Sequence, residues 1–194
     1  MRARAEAVAR TRQKIVDRAA EQLRGSAEPV ALAGIAAAAG VSRTTVYRHF
    51  ATVTSLLDAV AADLLARARF DLLLAAISHP DPVTALNEVT RLGCGIWAID
   101  PPLVRNLTAL ARTQADAVPV ISQLEAGRAQ VMDQLARRLD EAGALAAGLS
   151  PRDAADLLVA ATGFAGWDYL VTARQRAPGT ATELIVRLAS RAVT

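Results

Sequence analysis

The chain has 194 residues, enough for a small domain and a larger one, and its excess of Ala and Leu over β-branched and aromatic residues favours an all-α fold. Its net charge of +3 is unevenly distributed, because the first 50 residues carry nine Lys and Arg against four Asp and Glu, as expected when one end of a protein meets a polyanion. The single cysteine, Cys94, excludes a disulfide or a paired-cysteine metal site within one chain. The sequence shows neither a signal peptide nor a run of about 18 apolar residues, which predicts a cytoplasmic protein with no membrane span.

Four helices are predicted in the first part of the chain. Apolar residues at helical spacing predict a first helix over about residues 5–24, which Gly25 and Ser26 end. A short apolar helix follows over about residues 32–39, Gly40 breaks it, and Ser42 caps a third helix that runs to Phe50. A fourth helix begins near residue 56, and its apolar spacing continues toward residue 77.

Proline-containing segments divide the remainder of the chain. His79-Pro80-Asp81-Pro82 is the strongest break, because proline cannot continue a preceding helix. Further breaks are expected at residues 100–102, 115–119, 143–151 and 177–179. The chain is therefore expected to contain about nine helices, with an N-terminal three-helix domain over residues 1–52 and a C-terminal helical bundle over residues 53–194.

The segment from Gly34 to Phe50 has the pattern of a helix-turn-helix. Such a motif needs a small residue where its two helices touch, here Ala36, and a glycine at the turn, here Gly40. The apolar residues that close its small core are Ile35, Val41, Val46 and Phe50.

The outer face of the third helix is polar, hydroxylated or cationic. With Val46 directed inward, Thr44 and Arg48 lie opposite it, and Thr45 and Tyr47 flank them. Arg can bridge guanine O6 and N7 in the major groove, Thr can meet a thymine methyl, and Ser42 lies where a phosphate can sit. Ordinary solvent-facing residues are the alternative, but the basic excess and the lack of acids from Pro29 to Thr54 favour DNA binding.

The same segment resembles a known family. Val41-Ser-x-Thr-x-Val-Tyr-x-His-Phe50, preceded by Ile35-Ala36 and Ala39-Gly40 and followed by Leu56-Leu57, resembles the signature of TetR-family repressors over about residues 10–60. The resemblance implies that Thr44, Thr45 and Arg48 face bases, that Tyr47 and His49 touch phosphates, and that a homodimer reads a near-palindromic operator until an effector releases it. The DNA-binding residues so predicted are Ser42, Arg43, Thr44, Thr45, Tyr47, Arg48 and His49.

Two departures from the family pattern concern DNA affinity. The family usually has a cation and then an acid after Phe50, where this chain has Val53 and Thr54, so backbone contacts there are expected to be weaker or differently arranged. The second helix usually begins with a Thr cap, and Ala31 in its place is expected to cost about 1 kcal/mol. Neither departure alters the predicted fold.

The last two predicted helices are expected to form a dimer interface. The segment from Asp153 to Thr172 is apolar around most of its circumference, and the final helix has a broad apolar stripe. A two-fold contact would bury this surplus, as the resemblance also implies, whereas a monomer with a central penultimate helix is the alternative. The predicted interface residues are Leu158, Ala161, Phe164, Trp167, Leu184 and Leu188.

The helices between these two ends are expected to enclose an effector pocket for a small apolar or amphipathic molecule. Arg128 shares an apolar stripe with Leu124, which is an unusual place for a charge. It could pair there with an anionic effector or with Asp168. We favour the alternative that its stem is buried and its charged end extends to water. Apolar residues at helical spacing are more often plain core than a ligand site. The predicted lining residues are Thr90, Cys94, Trp97, Asn106, Leu107, Leu110, Leu124 and Arg128.

No catalytic motif accompanies these features. The two histidines are far apart in sequence, and no zinc-binding HExxH, phosphate loop, nucleophile elbow or cysteine pair occurs, so neither an enzyme nor a metal or other cofactor is predicted. The sequence therefore favours a ligand-responsive repressor that binds double-stranded DNA as a dimer. The alternative is a helical protein-interaction module of the same fold that has lost operator binding, and the missing cation at Val53 is its only support.

Overall fold

The computed structural model describes residues 2–68 and 70–194, and these residues form an all-helical protein. Eleven α-helices and one short 3-10 turn account for the regular structure, and no strand occurs among the described residues. The predicted fold class is thereby confirmed.

The helix boundaries follow the punctuation of the sequence. The first four helices are α1 (Arg2–Gly25), α2 (Leu32–Ala39), α3 (Arg43–His49) and α4 (Val53–Arg67). The next three are α5 (Phe70–Ile77), α6 (Pro82–Ile99) and α7 (Pro101–Leu110), and the 3-10 turn is Ala115–Ala117. The last four are α8 (Val118–Glu141), α9 (Pro151–Ala161), α10 (Phe164–Thr172) and α11 (Pro178–Val193).

Two stretches that were expected to be continuous helices are divided. The fourth helix ends at Arg67, and α5 begins at Phe70. The stretch from Asp153 to Thr172 forms α9 and α10, since the Thr162 hydroxyl donates to the Leu158 carbonyl at 2.7 Å and Gly163 adopts an extended conformation before α10. A threonine hydroxyl that bonds to a carbonyl of the preceding turn disfavours a regular helix, and the glycine that follows has a low helix propensity.

Residue contacts group the chain into two compact units. The first unit contains the described residues up to Leu64 together with Pro102–Gln123, and the second contains Leu65–Pro101 and Leu124–Thr194, without residue 69. These units are groups of contacting residues, and the functional boundary at residue 52 stays a prediction.

The first unit is built around α1, α2 and α3. Its largest fully buried side chains include Ile15, Leu23, Ile35 and Phe50, so each of these helices contributes to one small core. Gly40 ends α2 with φ +61°, and its N–H bonds back to the Ala37 carbonyl, which is the left-handed C-cap expected at this turn. At the other end of α2, Ala31 makes no side-chain cap, as predicted.

The second unit has a main apolar core and a smaller aromatic cluster. The main core draws on α5, α6, α8, α9 and α11, with fully buried Leu86, Leu135 and Leu139 at its centre. Where α5 ends, the Arg138 guanidinium donates to the Ile77 and His79 carbonyls, and Asp81 then caps α6 by accepting from the Val83 and Thr84 backbone N–H groups.

Candidate nucleic-acid interface

Helix α3 is held in place by bonds at both of its ends. The Ser42 Oγ accepts from the Thr45 backbone N–H at 3.1 Å, and its oxygen lies 2.8 Å from Thr45 Oγ1. At the other end, the Phe50 N–H donates to the Val46 carbonyl at 2.8 Å. The predicted cap at Ser42 is therefore present, and its hydroxyl and that of Thr45 are already bonded to each other.

The two faces of α3 differ in burial as the sequence predicts. Val46 is fully buried and Phe50 is 1% exposed, so the inward face belongs to the core of the first unit. The outward face presents Thr44 and Arg48, both exposed, and Tyr47 is 55% exposed. Ser42 and Arg43 are also exposed, and Thr45 is half-buried. The exposed face of α3 therefore offers hydroxyl groups, a phenol and a guanidinium, and these groups can bond to base edges and phosphates.

His49 differs from its neighbours in α3. It is half-buried, and its Nε2 is shielded from solvent with no hydrogen-bond partner among the described residues. Burial lowers the pKa of His49 from its ordinary value of 6.5, and the charges of Arg48 and Arg12 lower it further. Protonation of the ring is therefore disfavoured, and a phosphate contact through the shielded Nε2 requires the side chain to move.

Two cations of α1 border α3, and sequence reasoning missed them. The Arg12 guanidinium carbon lies 5.0 Å from the centroid of the Phe50 ring, within range of a cation–π contact. The Lys14 Nζ lies 3.9 Å from the position that a β-carbon on Gly40 would take, beside the turn that precedes α3. Only the basic excess of the first 50 residues pointed to them, because the motif itself begins later in the chain.

The start of α4 has a local cap in place of the usual family cation. The Thr52 Oγ1 accepts from the Ser55 N–H at 3.1 Å, and the Thr52 N–H donates to Ser55 Oγ at 3.3 Å, which is a reciprocal capping box. Val53 is half-buried. The Thr54 hydroxyl donates to the Asp116 carbonyl at 3.0 Å, so this residue contacts the 3-10 turn.

Three predicted pocket residues lie in the first unit and have structural contacts there. Asn106, Leu107 and Leu110 belong to α7, and the two leucines are buried. The Asn106 Nδ2 donates to the Leu23 carbonyl at 2.6 Å, at the C-terminal end of α1. Asn106 is therefore committed to the backbone of α1.

The other five predicted pocket residues belong to the second unit. Thr90 and Cys94 are each 1% exposed, and Trp97 and Leu124 are half-buried. The Thr90 Oγ1 and the Trp97 Nε1 are buried with no hydrogen-bond partner among the described residues. Burial raises the pKa of the Cys94 thiol to about 12, so the sulfur is protonated and unreactive.

Arg128, the last of these five, is partly buried and makes several polar contacts. Its Nη1 donates to the Val159 carbonyl at 2.7 Å and to Thr162 Oγ1 at 3.2 Å, and its Nε donates to Glu125 at 3.1 Å. The guanidinium therefore satisfies the last turn of α9, which explains a charge on an apolar stripe.

The predicted dimer residues divide into a buried and an exposed group. Leu158 and Trp167 are fully buried within a single chain, so they belong to its own core and cannot be part of a contact surface. Ala161 and Phe164 are half-buried, whereas Leu184 and Leu188 on α11 are 37% and 53% exposed. Leu157 and Tyr169 are also exposed. The apolar pattern of α9 did not distinguish Leu157 from Leu158, because the neighbours that bury one of them are distant in sequence.

The described residues contain no group of three or more His, Cys, Asp or Glu side chains that could hold a metal ion. No single helix in this part of the chain is long and apolar enough to cross a membrane, and α3 with α4, bent by 67°, is the one pair that reaches that length and composition together.

Comparison with known proteins shows similarity to one family of regulators. Residues 15–60 match the family model of bacterial regulatory proteins, tetR family, and this range includes all of α2, α3 and the turn between them. The sequence similarity to the TetR family therefore lies in the part of the chain that contains the predicted helix-turn-helix. No curated protein sequence matches it.

Solved TetR-family structures share the fold over almost the whole chain. NalD of Pseudomonas aeruginosa, described as the secondary repressor of the MexAB-OprM multidrug efflux pump, is 25% identical, with a TM-score of 0.72 over 97% of this chain and 98% of NalD. A TetR-family regulator from Syntrophomonas wolfei is 15% identical, with a TM-score of 0.77 over 94% of each chain. SmeT, the repressor of the Stenotrophomonas maltophilia pump SmeDEF, is 19% identical, with a TM-score of 0.69 over 94% of this chain and 89% of SmeT. The TetR fold therefore extends through both units.

Proposed function

We propose that this protein is a TetR-family regulator, a cytoplasmic transcriptional repressor that binds a near-palindromic operator as a homodimer and is released by a small effector. The observation that carries the proposal is the division of α3 into a buried face, with Val46 and Phe50, and an exposed face, with Thr44, Tyr47 and Arg48. A polar exposed face on a helix that its own core holds rigidly is what entry into a major groove requires. A regulator of this kind needs no catalytic constellation.

Each exposed residue has a role that follows from its chemistry. Arg48 is suited to bridge guanine O6 and N7, and Thr44 to contact a thymine methyl or an acceptor. Tyr47 is suited to donate its phenol hydrogen to a phosphate oxygen, which fixes position without reading sequence. Val53 offers no charge at the start of α4, so cations elsewhere must supply the phosphate contacts of the protein.

The exposed leucines of the second unit are the proposed dimer surface. Leu184 and Leu188 lie one turn apart on α11, and Leu157 is exposed on α9, which packs against α11. Three exposed leucines on two packed helices leave an apolar area that a second copy related by a two-fold axis would cover. Leu157 takes the place of Leu158 and Trp167 in this proposal, and the predicted Leu184 and Leu188 are kept.

The effector is proposed to be apolar or amphipathic and to bind in the second unit. Cys94, Trp97 and Phe164 give apolar surroundings, and the unpartnered Thr90 Oγ1 and Trp97 Nε1 offer a hydroxyl and an N–H donor. SmeT, which shares the fold, has been solved as a complex with triclosan, and triclosan is a largely apolar small molecule. Asn106, Leu107 and Leu110 are left out of the proposed lining because they belong to the first unit.

The proposal is tested by recovering bound duplexes from fragments of the source genome and titrating them against salt. A repressor dimer that makes several phosphate contacts is expected to lose affinity steeply as salt concentration rises. A protein-interaction module of the same fold would show a flat response or no binding, and that result would contradict the proposal.

Replacing Arg48 tests the assignment of the groove-facing side. Arg48→Ala is expected to weaken binding to the recovered duplex by about 1–3 kcal/mol and to relax base preference at one position per half-site. Tyr47→Phe is expected to weaken binding to all sequences alike. Arg152→Ala, which removes an exposed arginine of the second unit, is the matched control and is expected to change neither. Unchanged affinity in Arg48→Ala would show that α3 does not read the bases as proposed.

A further inference from the structure

Residues 3–14 of α1 form a largely exposed helical extension, which contacts other parts of the first unit through Arg12 on Phe50 and Gln13 on Asp63. Among the residues whose burial the structure describes, Ile15 is the first that is buried, and eleven of the twelve residues before it are exposed, with Thr11 half-buried. Val8 is 46% exposed although it is apolar. A segment of this length is marginally stable as an isolated helix, so it is helical because it continues the packed part of α1. Its surface is available to a partner.

This extension carries an uncompensated positive charge. Arg4, Arg10, Arg12 and Lys14 oppose a single acid, Glu6, and none of the four cations forms an ion pair with a described residue. Arg18, the next cation along the helix, pairs by contrast with Glu21. The cations without an ion pair are therefore concentrated in the exposed part of α1, which suits an anionic partner.

The C-terminal part of the extension lies beside both ends of α3. Arg12 lies over the ring of Phe50 at the end of α3, and Lys14 lies beside Gly40 at the turn before it. At a rise of about 1.5 Å per residue, Arg4 is about 12 Å further along α1 than Arg12. Duplex DNA carries about one charge per 1.7 Å of its axis. A cation that lies about 12 Å from a helix in the groove can therefore still contact phosphates.

We propose that the extension is a second DNA contact, in which Arg4 and Arg10 bind backbone phosphates outside the base pairs that α3 reads. The inference rests on the proposed operator binding by α3. It also supplies phosphate contacts to a chain that has Val53 and Thr54 where the family usually has a cation followed by an acid. The contact is electrostatic, so it raises affinity for every duplex and adds no base preference.

The test compares the full-length protein with Arg4→Ala/Arg10→Ala on two duplexes, one recovered by genomic selection and one trimmed to its symmetric core. The double variant is expected to reduce the slope of log affinity against log salt by about 0.9 for each phosphate that the protein no longer neutralises. Wild-type protein is expected to bind the trimmed duplex more weakly than the full one, whereas the double variant is expected to bind both duplexes equally well. Arg4→Lys/Arg10→Lys keeps both charges and is expected to restore the slope.

Arg137→Ala/Arg152→Ala removes two exposed arginines from the second unit and is the control for a general reduction of charge. If wild-type protein binds the recovered duplex but Arg4→Ala/Arg10→Ala has the same salt slope and the same dependence on flanks, the second contact is wrong and operator binding by α3 stands. If wild-type protein binds no duplex, the proposed function fails, and this inference fails with it.

Discussion

Gly40 is the residue of the first unit whose backbone most constrains its identity. Its φ of +61° is in the left-handed region, which costs a residue with a β-carbon about 1–2 kcal/mol. Only the flexible end of Lys14, 3.9 Å away, would meet an added β-carbon, so the cost of a substitution comes from the backbone and not from a clash.

Gly40→Ala is therefore expected to lower the free energy of unfolding by about 1–2 kcal/mol, as measured by urea denaturation. Gly34→Ala is the matched control, because Gly34 lies inside α2 with open space around it, and alanine is the better helix former there by up to about 1 kcal/mol. The two substitutions should act in opposite directions. A stabilising Gly40→Ala would mean that the turn does not need a left-handed residue.

His49 makes the stability of the protein depend on pH in a direction that its burial fixes. Its pKa in the folded protein lies below the ordinary 6.5, so as pH falls through 6.5 the unfolded chain binds a proton that the folded chain does not bind. The free energy of unfolding is expected to fall between a pH of about 7 and a pH of about 5.5. His49→Gln should reduce this fall, and an equal fall in both proteins would remove His49 as its cause.

At the scale of elements, residues 106–116 bond to the segments that flank α2 and α3. Gln114 is bonded twice to Val30 in the connector between α1 and α2, accepting from its N–H and donating to its carbonyl, both at 2.8 Å. Asn106 bonds to the end of α1, and Asp116 accepts from Thr54 of α4. One short segment thus contacts three separate parts of the first unit.

Gln114→Ala is expected to destabilise the protein by about 1–3 kcal/mol, because Val30 is buried and its backbone N–H and carbonyl would be left without partners. Denaturation followed by circular dichroism measures the effect. Gln134→Ala, at an exposed position inside α8, is the control and should change stability by less than about 0.5 kcal/mol. Equal effects of the two substitutions would argue against a restraining role for Gln114.

The sequence was sufficient to predict the helices whose ends are marked by proline or glycine. Four helices begin with a proline, because the first turn of a helix accommodates proline and its interior does not. These residues are Pro82, Pro101, Pro151 and Pro178. The separation of α9 from α10 was not predicted, since it depends on the bond from the Thr162 hydroxyl to Leu158. The contacts of Asn106 and Gln114 were also beyond prediction, because each joins residues more than 80 positions apart.

At the scale of the whole molecule, the proposed two-fold assembly depends on leucines that a single chain leaves exposed. Leu184→Glu/Leu188→Glu is expected to convert a dimer to a monomer in sedimentation velocity, because four carboxylates would meet across the axis. Leu72→Glu is the matched control, since Leu72 is a 43% exposed leucine of α5 outside the proposed surface. A dimer that survives the double substitution would place the interface elsewhere.

Both tryptophans of the chain, Trp97 and Trp167, lie in the aromatic cluster around Phe164 in the second unit. Selective excitation of indole therefore reports on this unit alone, while the first unit, whose only described tyrosine is the exposed Tyr47, is silent in that signal. The protein thus carries an intrinsic optical probe. A ligand that enters the cluster will quench or shift the emission without any attached dye, and compounds can be ranked by fluorescence titration before an operator is known.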